Sequence, residues 1–391
     1  MALSIQPQFD VVVVGGGIVG ASCTLAFARA GLSVALAERD CWGGGATAAG
    51  MGHLVVLDGG DAEFALSRHS QKLWQGLALH LPAQAEYIHP GTLWVAEDDE
   101  EMQEATRKQE FLVSRGVPAQ LLTASALAAS EPNLRSGLAG GLVVEQDAVV
   151  FPPVVVRWML DEAVKLGAVL ALGHAATHMA SGEVRLADGS LLTATRLVNA
   201  AGAQAGFAAP GLPVMPRKGH LAITDRYPGF LRHQVVELGY MKSAKQLTAE
   251  SVACNVQPRA TGQILIGSSR QFGQLDKTID HALLGKMLRR CMRYLPALGS
   301  LTIIRIWTGF RASTPDKLPL IGPDPHDSSL WWATGHEGLG ITTSLATADL
   351  LACAFTGREP AIDPAPYLPA RLLAKLADTN PLSSESHKET A

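Results

Sequence analysis

VVVVGGGIVGASCTLAFARAGLSVALAERD, residues 11–40, sets four consecutive valines directly before three glycines. The run from Phe9 to Val14 reads as a strand buried on both faces, the pattern of a parallel sheet. Ile18 to Ala30 carries small and apolar residues at helical spacing, and Gly31 suits the left-handed residue that ends such a helix. Leu32 to Ala37 is a second strand, closed by Glu38. Gly15, Gly17 and Gly20 thus form GxGxxG between a strand and a helix. There the first glycine makes the tight turn, the second lets a pyrophosphate approach the backbone, and the third lets the helix pack close to the sheet. Free N–H groups at the helix start, from Ile18 and Val19 onward, point toward the anion. Glu38 stands where a carboxylate accepts bonds from the adenosine ribose, with Arg39 beside it. Strand, turn, helix, second strand and terminal acid agree on an adenine dinucleotide.

A nicotinamide-binding half would normally continue into another helix and parallel strand. Here CWGGGATAAGMGHL follows at 41–54. Its small residues, Ala46, Thr47, Ala49 and Gly50 among them, suit an extended backbone lying against a large flat ligand. The chain has 391 residues, 47% hydrophobic and 17% charged, enough for two modest domains or one interleaved unit with a sizeable core. A net charge of -4 speaks against nucleic acid or an anionic membrane as the main partner. Five scattered cysteines without a CxxC pair read as reduced thiols of a cytoplasmic protein, with no metal or iron–sulfur site. No signal peptide and no transmembrane segment is expected. GxSxG, the P-loop pattern and N-x-[ST] are all missing, and HEGLG at 336–340 lacks the second histidine of a zinc-protease helix.

Four separated stretches, VVVVGGGIVG (11–20), GATAAGM (45–51), WTGFRASTPDKLPLIGP (307–323) and ATGHEGLGIT (333–342), together resemble the FAD-dependent D-amino acid oxidase, glycine oxidase and sarcosine oxidase group. The resemblance runs in order from the first strand to about residue 360. It implies an α/β fold: a Rossmann-like, discontinuous FAD-binding domain with an α+β substrate domain whose mixed sheet roofs the flavin. The expected FAD segments are 1–85, 145–212 and 320–376; the substrate domain takes 86–144 and 213–319, and 377–391 is a flexible tail. Short strands at HLAITD, SVACNVQP, QILIGSS and LTIIRIW, interrupted by an amphipathic helix in 277–298, suit that substrate domain.

The resemblance also carries site residues. Ala176 would pair backbone atoms with adenine, and Met51 would contact the flavin. The backbone of His336, Glu337, Gly338, Leu339, Gly340, Ile341 and Thr342 would lie beside the flavin pyrimidine, where a helix N-terminus stabilises negative charge. Arg311 occupies the position of the family's carboxylate-clamping arginine, and its planar fork matches a carboxylate bidentately; the alternative is an ion pair with Asp316. His53 is a candidate for tuning substrate protonation, its ordinary pKa lying near neutrality, or a histidine satisfied by a backbone carbonyl.

Two departures stand out. Glycine oxidases carry a second arginine where this chain has Gly338, and a tyrosine where Asn255 stands. Both changes are expected to open the pocket and to favour a ring-shaped secondary amine, D-proline or cis-4-hydroxy-D-proline. YMKSAKQL (240–247) and LIGSSRQF (265–272) likewise look like D-hydroxyproline dehydrogenase subunits. The implied reaction is hydride transfer from the α-carbon to flavin N5, with Arg311, His53 and Asn255 as the catalytic set. The electron acceptor is a quinone, a partner subunit or oxygen, and further subunits of a dehydrogenase complex are implied. A glycine or sarcosine oxidase producing hydrogen peroxide is the alternative, and a non-catalytic FAD-binding relay subunit the alternative of another class. A cytoplasmic location is expected, with peripheral membrane association left open.

Overall fold

A computed structural model describes residues 8–208, 212–239 and 250–372. YMKSAKQL at 240–247 and the tail expected at 377–391 lie outside the described residues. Two eight-stranded sheets organise the chain. The first runs Leu320–Pro323, Leu330–Thr334, Leu191–Asn199, Phe9–Val14, Val34–Glu38, Val169–Leu172, with all neighbours parallel except the first pair. Ala176–Ala180 and Glu183–Leu186 extend it as an antiparallel flap on Leu191–Asn199.

The valine run explains the centre of this sheet. Val11 and Val13 pack into one apolar cluster with the helices Ile18–Arg29, Pro152–Lys165 and Gly340–Thr356, while Val12 and Val14 pack into a second cluster on the opposite face. All four are almost wholly buried, so β-branched residues are needed on both sides. Gly31 adopts φ +80° and ends the first helix, its N–H donating to Ala28 O and that of Leu32 to Phe27 O.

The second sheet is mixed, in the order Ile303–Ser313, Met215–Thr224, Ile264–Gln271, Glu250–Pro258, Gln234–Glu237, Thr92–Ala96, Gly140–Val144, Gln120–Thr123. Only Gln234–Glu237 and Thr92–Ala96 run parallel to each other. The amphipathic helix His281–Tyr294 covers one face, burying Leu284, Met287, Cys291 and Tyr294 against Ala222, Cys254, Val256, Ile264 and Ile266. Residues alternating with these point the other way: Leu221, Ile223, Leu265 and Trp307 close on Met51, which follows the glycine-rich segment 43–50. Strand alternation therefore turns a whole row of side chains toward the glycine-rich half of the molecule.

The extended backbone expected after Glu38 is not what forms. Gly45–Ala49 is a short helix, because its three alanines favour helix and the turn sets Thr47 Oγ1 to accept from Ile18 N–H. His53–Leu54 then makes a two-residue strand with Ala148–Val149.

Candidate active site

Two of the glycines are required by geometry. Gly15 takes φ +109°, and a Cβ there would lie 2.6 Å from Ala200 O; a Cβ on Gly20 would lie 1.8 Å from Gly15 O. Gly17 caps the helix in extended conformation without a side-chain cap. The helix start is built from three segments: Ile18 N–H donates to Thr47 Oγ1 (3.0 Å), and Val19 approaches Gly340. Glu38 accepts from Gly16 N–H (2.7 Å) and Asp40 N–H (2.8 Å), which fixes its carboxylate at the mouth of the turn. Arg39 is exposed and pairs with Asp40 (2.9 Å). His174 N–H donates to Glu38 O (3.0 Å), so the segment entering Ala176 crosses the end of the second strand; Ala176 itself is half-buried opposite Leu186.

Beyond the turn, Ala46 is exposed and Ala49 half-buried, with a Cβ on Gly309 only 2.4 Å from Ala49 Cβ. Gly50 packs on Ile341, and Thr342 Oγ1 donates to His53 O (2.8 Å). Met51 is buried and its carbonyl accepts from the Gln257 side-chain amide. Leu339 caps the helix Gly340–Thr356, its N–H donating to His336 O (2.7 Å). The His336 ring is buried, bonds Thr347 Oγ1 (3.0 Å) and is pushed down to about 4 by burial. Its side chain thus faces the helix packing.

Arg311 lies on the face of the second sheet that bears Leu221 and Trp307. Its Nη1 donates to Ser269 O (3.0 Å), and its guanidinium passes over Gly219, where a Cβ would come within 2.5 Å. Gly338 is not an opening in the pocket wall: it takes φ +89°, and a Cβ there would lie 3.0 Å from Arg311 Cδ and 3.1 Å from Nε. The space left by the missing side chain is filled by the arginine stem. Asp316, the ion-pair alternative, is held by Arg371 (2.7 Å).

His53 does not keep the near-neutral titration its residue type suggested. Burial, reinforced by the Arg311 charge, pushes it down to about 4, so the imidazole is neutral at pH 7. Its ring faces the Gln257 side chain, whose hydrogen bond partly opposes the shift, while Asn255 Oδ1, Arg217 Nε and Glu337 Oε2 are buried without hydrogen-bond partners. Buried polar atoms are rarely left unpaired. Those atoms lie on or beside the face of the second sheet that bears Arg311, where a ligand could supply further bonds. Gln257 and Arg217 escaped the sequence reading. Alternation within 251–258 puts Gln257 on the face of Asn255, but only strand register sets Arg217 directly opposite Arg311. A cavity of about 150 Å³, lined by Gly50, Met51, Ile223, Gln257, Leu265 and Trp307 among others, continues between the two halves.

The glycine cradle, the helix N–H groups, the Glu38 acceptor and the unpaired atoms across the cleft suit an adenine dinucleotide whose reactive end lies between the sheets. Fold and site together define a dinucleotide-dependent redox enzyme roofed by an arginine-bearing sheet. The chain belongs to the DAO family of FAD dependent oxidoreductases, whose family model matches residues 10–354. It is 30% identical over 379 residues to a glycine oxidase of Pseudomonas aeruginosa, covering 92% of this chain and 98% of that one. The crystal structure of glycine oxidase from Geobacillus kaustophilus superposes with a TM-score of 0.84 at 26% identity, covering 94% and 99% of the two chains. L-proline dehydrogenase from P. horikoshii shares the fold, with a TM-score of 0.85 at 23% identity over 95% and 99%. The chain is an FAD-dependent oxidoreductase related to glycine oxidases and to amino acid oxidases and dehydrogenases. Among the described residues, no helix is long and apolar enough to cross a membrane.

Proposed function

We propose that this chain oxidises a small D- or secondary amino acid at its carbon–nitrogen bond, with D-proline or cis-4-hydroxy-D-proline as the preferred substrates. The observation that carries the reading is Arg311, held by Ser269 O and threaded between two glycines on the face turned toward the dinucleotide cradle. A carboxylate placed there receives two parallel charge-assisted bonds, which set distance and orientation together. Bound FAD supplies the electron sink. Gly15, Gly17, Gly20 and Glu38 would hold its adenosine and pyrophosphate end, with Ala176 at the adenine. Met51 and the backbone of 336–342 would lie at the ring end.

The remaining residues arrange the substrate. Asn255 Oδ1 is a buried acceptor without a donor, and a ring hydroxyl or an amine N–H would satisfy it. Neutral His53 adds no positive charge beside a substrate nitrogen that must shed its proton. Leu221, Leu265 and Trp307 keep water off the reacting carbon. A glycine or sarcosine oxidase is the second reading, favoured by the 30% identity to a glycine oxidase. In the first reading a partner subunit, a quinone or oxygen takes the electrons; in the second, oxygen takes them and leaves as hydrogen peroxide.

The test is an anaerobic panel of glycine, sarcosine, D-alanine, D-proline and cis-4-hydroxy-D-proline, read by bleaching of the flavin absorbance. The cyclic amines are expected to bleach fastest; dye or oxygen added afterwards identifies the acceptor, and stoichiometric peroxide favours the oxidase. Arg311→Lys is expected to lower kcat/KM about 10²-fold, since bonds to charged groups contribute ~1.5–3 kcal/mol each, with the Tm little changed. A flavin that no amine bleaches, or undiminished turnover in that variant, overturns the reading.

A further inference from the structure

Arg217 and Arg311 are directly opposed in neighbouring antiparallel strands, on the same face. Opposed side chains in such a pair have Cβ atoms about 4.5–5.5 Å apart, and like charges placed there repel. The arrangement is stable because Glu337 pairs with Arg217, whose guanidinium also lies over the Phe272 ring at 4.4 Å. Both ends of this ion pair are buried, with side chains 5% and 11% exposed, so salt and water screen it little. Glu337 is delivered by the backbone that follows Arg311: its own N–H donates to Ala312 O (2.8 Å), at φ +45°. Its next neighbour is Gly338, against which the Arg311 stem packs. Arg217 Nε and Glu337 Oε2 have no partners, so neither group is saturated by the pair.

The three charged groups sum to one positive charge, the complement of one carboxylate. Resting on the reading of Arg311 as the carboxylate clamp, we infer that Glu337 restricts the site to monocarboxylic substrates, by neutralising Arg217 and repelling any second carboxylate that reaches it. Selectivity of this kind works through a repulsive element as much as an attractive one. Without the Glu337 charge, two adjacent guanidinium groups would face the site, and a dicarboxylate would become the better-matched ligand.

Acetate and succinate, titrated into the FAD-loaded protein and read by the shift of the flavin spectrum, separate the possibilities without needing a substrate. Wild type is expected to bind acetate in preference to succinate, and Arg311→Lys to weaken acetate. Glu337→Gln, which keeps size and shape, is expected to shift the succinate-to-acetate affinity ratio toward succinate at least tenfold, and Arg217→Gln/Glu337→Gln to undo that shift. Should Glu337→Gln not fold, Arg217→Gln alone serves: it leaves Glu337 unneutralised and is expected to move the ratio further against succinate. An acetate signal indifferent to Arg311→Lys sinks the clamp itself. Acetate binding that depends on Arg311, with a ratio unmoved by these variants or a wild type that prefers succinate, overturns the role of Glu337 alone.

Discussion

Burial, more than residue type, decides what the histidines beside the cleft do. His336 has a folded pKa near 4 against an ordinary value of 6.5 because its ring is desolvated. Between those values the unfolded chain binds more protons, so the protein loses stability as the pH falls through this window. The full loss is about 3 kcal/mol for one such group. Asp147 acts in the opposite sense, its carboxyl being pushed up to about 7 by burial, so the wild-type curve alone does not isolate His336. The stability difference between wild type and His336→Gln, followed by urea unfolding, is therefore expected to shrink by ~3 kcal/mol from pH 6.5 to pH 4. A difference that stays flat would mean the ring titrates as though exposed. Arg311 was legible as a residue because its motif surrounds it in sequence. Arg217 and Gln257 were not, since nothing within a few positions of either signals what it faces.

At the level of elements, the strand–glycine–helix junction is the most demanding piece of backbone. Gly20→Ala would put a methyl group 1.8 Å from Gly15 O, where neither backbone can yield cheaply. Overpacking of this kind costs about 1–3 kcal/mol or more, and the variant is expected to purify with little FAD and a lowered Tm. Gly31→Ala is the control: its φ is +80° but no atom lies within 4 Å of the added Cβ. It is expected to cost only about 1 kcal/mol and to keep its flavin. Equal flavin loss in both would remove the special standing of the junction. The helix at Gly45–Ala49 shows the opposite case. Small residues were read as extended backbone, whereas one helical turn places Thr47 to accept from the Ile18 N–H. Composition alone did not distinguish the two because alanine permits both.

Across the whole molecule, the site is shared by segments more than 200 residues apart: Met51 bonds Gln257, His53 bonds Thr342, and Trp307 donates to Ala49 O (3.4 Å). A cofactor bound between the sheets touches both halves and stabilises the folded state by mass action, about 4 kcal/mol when present at 1,000 times its Kd. Stripping FAD is expected to lower the Tm by several degrees and adding it back to restore the loss; a Tm indifferent to FAD would mean that the folded chain does not hold the cofactor. The resemblance of its motif singled out Arg311; the sequence by itself determined the dinucleotide junction, the short strands of the second sheet and the amphipathic helix behind them. Each of these is written in the period and turn chemistry of neighbouring residues. Only the tertiary structure decided that Arg217 faces Arg311, that Glu337 neutralises it, that Gly338 makes room for an arginine stem, and that His53 is neutral. Those facts depend on strand register and on burial, which arise when distant segments pack together and leave no local trace along the chain.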